Sequence, residues 1–207
     1  MKYEWKKNDK KIYLPKEKPE LIDVPAFKYF TIMGQGNPNG QEFNLAIEAL
    51  YALSYTLKML PKKGVLIDDY YEYTVFPLEG VWDLTEKGRL SKVLNKDELV
   101  YTIMIRQPDF VTDKLANEVI NIVKEKKNNP MLDKVKFETI TEGLCLQMLH
   151  VGSYDNENIT FDIMEKYCDN NNLIRLSKVH KEIYISDPRK TKSTKLKTVL
   201  RFKVENK

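Results

Sequence analysis

"HKEIYISDPR", residues His180–Arg189, is the stretch on which the fold turns. Read as a strand, its side chains alternate between two faces. Ile183 and Ile185 share one face, and Glu182 and Tyr184 share the other. A carboxylate beside an aromatic ring on such a strand has two readings. It is a solvated acid on the wet side of a sheet, or it is the acid of a binding groove.

Working outward, "KTVLRFKVE" downstream reads as a second strand. Upstream, "YDNENITFDIMEKYCDNN" is a helix with Phe161, Met164 and Cys168 on one face, preceded by the strand region "KFETITEGLCLQMLHVG" ending at Gly152. The first half of the chain has the same order. "VPAFKYFTIMGQG", Val24–Gly36, carries a strand, and "GQGNPNG" is a loop without phosphate-loop spacing. "EFNLAIEALYALSYTLKML" is a helix with Phe43, Ile47, Leu50, Ser54 and Leu57 on one face, stopped by Pro61 and Gly64. "DDYYEYTVFPLEGVWDL" reads as a strand turning near Pro77–Gly80, and "ELVYTIMIRQP" as another strand. Between the halves, "TDKLANEVINIVKEKK" is a helix with the stripe Leu115, Val119 and Ile122 and a cap at Thr112 or Asp113. "NNPMLDKV" reads as a linker.

The expected fold is therefore α+β. Two strand–helix–strand–strand repeats in pseudo-twofold arrangement form one curved antiparallel sheet. The helices cover the Ile183/Ile185 face, and the opposite face is left concave. A lysine-rich leader occupies residues 1–23 and lies over a domain at 24–207. The first repeat spans about 24–110, the connecting helix and linker about 111–134, and the second repeat about 135–207.

Composition narrows the function. Hydrophobic residues make up 42% of the 207 and charged residues 31%, enough for a sizeable core and a well-solvated surface. No apolar run approaches the roughly 18 residues of a membrane helix. The N-terminus lacks a signal-peptide apolar region, so the expected location is cytoplasmic. The net charge of +4 is dispersed among alternating Lys and Glu. That excludes a basic face for direct nucleic-acid binding. Cys145 and Cys168 are expected as free thiols, and two cysteines make no metal framework. His150 and His180 have no ligand spacing. Neither a metal nor a cofactor is expected.

Several segments, taken in order, carry a resemblance: "IEALYALSYTLK", "FPLEGVWD", "VTDKLANEVINIVKEKKNNPMLDKV", "LHVGSYDNENITFDIMEKY" and "HKEIYISDPRKTKSTKLKTVLRF". Together they resemble the GyrI-like small-molecule-binding family, from about Val24 to Val204. The resemblance implies the two-repeat fold and a pocket for hydrophobic, aromatic molecules of drug or toxin type. A free-standing subgroup is similar to hydrolases that open the cyclopropane of DNA-alkylating cytotoxins such as yatakemycin. Other relatives are effector-binding domains of transcription regulators or a gyrase-inhibitory protein. No helix-turn-helix precedes the domain, which favours the free-standing roles. The rival reading is a module whose partner is a protein such as DNA gyrase.

The resemblance places Glu182 as the pocket carboxylate. A carboxylate ringed by aromatics is costly to ionise, so its pKa is expected to rise and fit it for acid–base work. Tyr184, on the same face, hydrogen-bonds a ligand atom or simply packs. Tyr73 is its counterpart in the first repeat. Trp82 matches the family's pocket aromatic, against a plain core role. Tyr154 follows Gly152 at a strand-to-helix turn, as a pocket-rim or a capping residue. Phe30, Tyr101 and Met104 are apolar walls or core. Glu79 reads as a structural or surface acid.

Overall fold

The computed structural model describes residues 2–207. The chain is mixed α and β with antiparallel strand pairing throughout the registers below, and it divides into two compact units.

The first unit comprises Phe27–Leu78 and Asp83–Ile140 and takes in the start of the chain up to Glu4. Strand β1 (Glu20–Gln35) pairs antiparallel with β3 (Leu99–Gln107), from Lys28 opposite Gln107 to Gln35 opposite Val100. Helix α3 (Gln41–Met59) buries Phe43, Leu50, Ser54 and Leu57 as the spacing predicts, with Ala46, Ala49 and Leu53 beside them, while Ile47 is only half-buried. The buried Ser54 hydroxyl donates to the Leu50 carbonyl at 2.9 Å and accepts from Gln107 Nε2 at 3.0 Å, so this polar group on the apolar stripe is satisfied. Helix α5 (Asp113–Lys126) is capped by Thr112, whose Oγ1 accepts from the Leu115 amide at 3.2 Å. Its buried stripe is Leu115, Val119 and Val123, and Ile122 is only half-buried.

Two local expectations fail. "DDYYEYTVFPLEGVWDL" is not one strand turning at Pro77–Gly80. Residues 68–77 have only an isolated bridge at Tyr73, and β2 (Leu78–Leu84) runs straight through Gly80. Pro77 has no N–H to give a ladder, so the strand starts after it. Nor is "NNPMLDKV" a bare linker. It forms a 3-10 turn, Pro130–Lys134, that buries Met131 and Leu132.

The second unit comprises Trp5–Ala26, Glu79–Trp82 and Thr141–Lys207. The expected leader folds here. Helices α1 (Trp5–Asn8) and α2 (Lys10–Tyr13) bury Trp5 and Tyr13, which pack edge to face at 5.3 Å. The middle of β2 pairs with β6 (His180–Tyr184), Gly80 opposite Glu182 and Trp82 opposite His180. Strand β6 pairs with β7 (Lys197–Asn206), which also pairs with the end of β4 (Lys136–Val151) and with the short β5 (Leu173–Arg175). Strand β5 was not foreseen.

Residues opposite one another in a ladder share a face. One face therefore carries Gly80, Trp82, His180, Glu182, Tyr184, Leu200 and Phe202. Helix α6 (Glu157–Asn170) packs on it. Met164 and Cys168 join Leu146, Met148, Leu173, Leu200, Phe202 and Val204 in one core cluster. The helix in this unit thus covers the Glu182 face, contrary to the expectation that it covers the Ile183 face. The cause lies in Leu200 and Phe202. They are opposite or diagonal to Glu182, and they supply the apolar surface that Met164 and Cys168 need.

The opposite face carries Ile183 and Val199, but also Lys181, Arg201 and Glu79. Lys181 Nζ bonds Glu79 Oε2 at 2.9 Å and Glu142 Oε1 at 2.7 Å, and Arg201 Nη1 reaches the same Glu142 oxygen at 3.2 Å. Tyr13 donates to Glu79 at 3.2 Å, and Arg201 donates to Gln147 Oε1 and to the Ile12 carbonyl. Burial pushes the Glu142 carboxyl up, but Lys181 and Arg201 outweigh it and hold the group below the usual carboxylate range. Burial pulls Lys181 down, and Glu79 and Glu142 reverse that. Glu79 is thus a buried structural acid and not a surface one.

Candidate functional site

The Glu182 face gathers four of the sequence-derived site residues through three elements. Strand β2 contributes Trp82, β6 contributes Glu182 and Tyr184, and the turn before α6 contributes Tyr154. Trp82, Tyr184 and Glu182 form a hydrogen-bonded relay. Trp82 Nε1–H donates to the Tyr184 hydroxyl at 2.9 Å. The Tyr184 hydroxyl donates to Glu182 Oε2 at 2.8 Å. His180 Nε2 lies 3.2 Å from Glu182 Oε1, and its Nδ1 lies 3.2 Å from the Lys178 carbonyl. The Glu182 side chain retains 12% exposure. Trp82 is buried with its N–H satisfied, and Trp82 and Tyr184 each direct a polar atom along the path to one carboxylate.

Aromatic rings close around this path. Tyr154 stands edge-on to Tyr184, ring centres 5.9 Å apart at 88°, and is 37% exposed. Phe161 from α6 meets the His180 ring at 4.8 Å. Burial, and then the Glu182 charge, push the Tyr184 hydroxyl well above its ordinary pKa. The same causes push Tyr154 up to about 12. Both remain phenols and hydrogen-bond donors at neutral pH.

Two further residues belong to the site and were not singled out from the sequence. Gly80 lies opposite Glu182 in the ladder, and a Cβ there would stand 2.8 Å from Trp82 Nε1 and 3.3 Å from the Tyr184 hydroxyl. Glu157, in the first turn of α6, is 8% exposed, and burial followed by the Glu182 charge pushes its carboxyl up to about 10. Its spacing was a readable signal. Positions 157, 161, 164 and 168 fall at i, i+4, i+7 and i+11, so an acid continues the Phe161/Met164/Cys168 stripe.

The other candidates lie in the first unit, each buried. Phe30 packs against Phe137 at 5.4 Å. Tyr101 meets Phe43 edge to face at 4.9 Å and sits over Gly34, where a Cβ would be 2.5 Å from its ring. Tyr73 lies against Phe110 at 6.0 Å, and its buried hydroxyl has no hydrogen-bond partner among the described residues. Met104 is fully enclosed on β3. His150 is structural: Nδ1 is 2.8 Å from Thr160 Oγ1, and Nε2 is 3.0 Å from the Ser153 carbonyl. Because a carbonyl only accepts, the Nε2 carries the proton. Burial pushes the Cys145 thiol up to about 11, so it is inert near neutral pH. Among the described residues no helix is long and apolar enough to cross a membrane.

The chain is similar over nearly its whole length to several solved structures. A hydrolase from Listeria innocua has 35% identity, a TM-score of 0.89, and coverage of 98% of this chain and 100% of its own. The structure of a hydrolase encoded by lin2189 from Listeria innocua has 36% identity, a TM-score of 0.90, and coverage of 99% and 100%. The EcmrR C-terminal domain, at 12% identity and a TM-score of 0.57 over 95% of this chain and 99% of its own, shares the fold. No curated protein matches the chain. The GyrI-like small molecule binding domain profile matches residues 17–205, and with nearly the whole chain inside it, the protein belongs to that family.

Proposed function

We propose that the protein binds flat, hydrophobic aromatic molecules of drug or toxin type at the Glu182 cluster. Trp82, Tyr154 and Tyr184 supply ring surface, and Glu182 supplies the polar anchor. One observation carries the reading. The buried acids of the opposite face, Glu79 and Glu142, are matched by Lys181 and Arg201. Glu182 has no Lys or Arg partner among the described residues; it meets the Tyr184 hydroxyl and the His180 ring, with aromatic rings around them. An acid in a ring-lined place with no fixed ammonium or guanidinium beside it is suited to meet a ligand. The reading carries with it two related halves, β1–α3–β2–β3 and β4–α6–β5–β6–β7, the second with one strand more after its helix.

A hydrolytic version is supported by the full-length similarity to two structures described as hydrolases. Glu182 takes a proton from water, and the water oxygen bonds to a cyclopropane carbon of the ligand. The ring C–C bond breaks, its electron pair passes to the conjugated carbonyl oxygen, and that oxygen takes a proton from solvent. Tyr154, the exposed phenol, hydrogen-bonds that oxygen as charge develops. Tyr184 is not the donor, because its proton is already engaged by Glu182.

A thermal-shift screen of planar aromatic compounds tests binding, because a ligand of the folded state raises the apparent melting point. Loss of the shift in Trp82→Ala and Glu182→Ala is the expected result. No shift from any compound overturns the reading and favours the protein-interaction role. Incubation with a cyclopropane-bearing alkylator tests turnover. Ring-opened product forming no faster than in buffer, or at full rate in Glu182→Gln, overturns the hydrolytic version.

A further inference from the structure

Glu182 is held from two sides, and each hold has a fixed direction. On Oε2 the direction is set by Trp82. An indole N–H only donates, so the Tyr184 hydroxyl accepts from it at 2.9 Å and gives its own proton to Glu182 at 2.8 Å. On Oε1 the direction is set by the Lys178 carbonyl, which only accepts. His180 Nδ1 lies 3.2 Å from that carbonyl and therefore carries a proton. The other ring nitrogen, Nε2, lies 3.2 Å from Glu182 Oε1. A neutral imidazole protonated on Nδ1 has a bare lone pair on Nε2, and a carboxylate oxygen offers only lone pairs. Both His180 contacts close as hydrogen bonds only with one more proton between Nε2 and Oε1. On the nitrogen, that proton makes an imidazolium–carboxylate pair. On the oxygen, it makes an imidazole and a carboxylic acid. The net charge of the pair is zero in both forms.

The neighbouring groups leave this balance in place. His180 stands opposite Trp82 in the ladder with β2 and against Phe161 of α6 at 4.8 Å. Leu200 of β7 lies opposite Glu182. Burial and the Glu182 charge keep Glu157 of α6 protonated at pH 7. Arg175, 5.1 Å from the Phe161 ring, pairs with Glu165 at 2.7 Å, as does Lys178. Asp187 pairs with Arg189, and Asp155 is exposed. The side chains of His180 and Glu182 retain 22% and 12% exposure, so the pair borders solvent.

We propose that His180 is a positioning residue of the Glu182 site, that it holds the acid through one shared proton, and that the neutral pair makes the site select uncharged aromatic molecules over aromatic cations. The inference rests on the ligand-binding reading above and narrows its ligand class. A lone carboxylate among rings does the reverse, drawing in a cation as its counter-charge.

Long-range ¹H–¹⁵N NMR reads the proton without any ligand. The chain has two histidines, and His150 is already assigned to the Nε2–H form. At pH 7, His180 is expected with both ring nitrogens protonated, or as the Nδ1–H form with Glu182 protonated in the carboxyl ¹³C spectrum. Glu182→Gln, which has its own N–H to donate, is expected to convert His180 to the neutral Nδ1–H form. A neutral Nε2–H ring in the wild-type protein, or an Nδ1–H ring beside an ionised Glu182, overturns the shared proton whether or not any variant folds. Isosteric pairs read the selectivity: 1-methylnaphthalene with 1-methylquinolinium, and 9-methylanthracene with 10-methylacridinium. His180→Gln keeps a donor for Glu182 without the charge, and His180→Phe keeps a ring against Phe161 with neither. In both variants the cation is expected to gain about ten-fold on its neutral isostere relative to wild type, the scale of one charge contact in a partly screened site. A ratio unchanged in both variants overturns the selectivity and leaves the ligand reading standing. Binding of no member overturns the ligand reading as well.

Discussion

Gly80 stands directly across the ladder from Glu182, and the space where its side chain would be is occupied by the Trp82–Tyr184 hydrogen bond. The strand position is extended and an alanine fits the backbone, so the requirement for glycine is spatial. Gly80→Ala puts a methyl group 2.8 Å from Trp82 Nε1 and displaces the indole from Tyr184. Breaking that one hydrogen bond is expected to weaken binding of a planar aromatic ligand about ten-fold, while the far-ultraviolet circular dichroism is unchanged. Fluorescence titration checks it.

Tyr184→Phe removes the middle of the relay. Trp82 Nε1–H then loses the Tyr184 oxygen as acceptor in a buried site, and Glu182 loses its shortest hydrogen bond. The expected destabilisation is about 1–3 kcal/mol. For a chain of this size, each kcal/mol lowers Tm by roughly 2–4 °C. Differential scanning calorimetry measures both, and a Tm unchanged within a degree refutes the relay.

Lys181→Met leaves Glu79 and Glu142 buried with one cation fewer. Breaking a buried pair from one side costs about 3–5 kcal/mol, and adding Glu79→Gln recovers part of it by removing the stranded charge. Urea unfolding of the single and double variants gives the order. A single variant as stable as wild type refutes the bracing role of the network.

The pH dependence separates the two faces. Glu142 titrates below its ordinary value of 4.5, so its contribution is present above 4.5 and lost as pH falls through the lower folded value. Lys181 titrates above 10.5, so its contribution is present below 10.5 and lost as pH rises through the folded value. Glu157 behaves the other way from Glu142. Its raised folded value means that its protonated form favours folding below 4.5, and the advantage drains away as pH rises from 4.5 towards the folded value. Glu157→Gln, which cannot ionise, is therefore expected to be relatively more stable than wild type at pH 8 than at pH 5. Chemical denaturation at both values decides, and the opposite order refutes the assignment.

Much of this was legible in the sequence. The alternation in "HKEIYISDPR" places Glu182 and Tyr184 on one face, and helix α6 follows its apolar spacing. What could not be read was which face the helix takes. Ile183 and Ile185 looked like the apolar side, but the decision belongs to Leu200 and Phe202 on the neighbouring strand, and register between strands is a tertiary property. Lys181 and Arg201 were hidden for the same reason, because a buried cation is indistinguishable from a surface one until its carboxylates are placed. Glu157 was within reach. An acid at a helix start also complements the helix dipole, so the residue type alone does not single it out.

Lys181 and Glu182 are consecutive and point in opposite directions, one into a cage of anions, the other among rings. A slip of β6 by a single residue would exchange them, driving a carboxylate against Glu79 and Glu142 and an ammonium into the aromatic surroundings of Trp82. Misaligned chains are thus penalised twice at the same step. The ion cage works as a lock that only the correctly threaded strand can open, so that every molecule completing its fold presents an acid, and never a lysine, to whatever it captures.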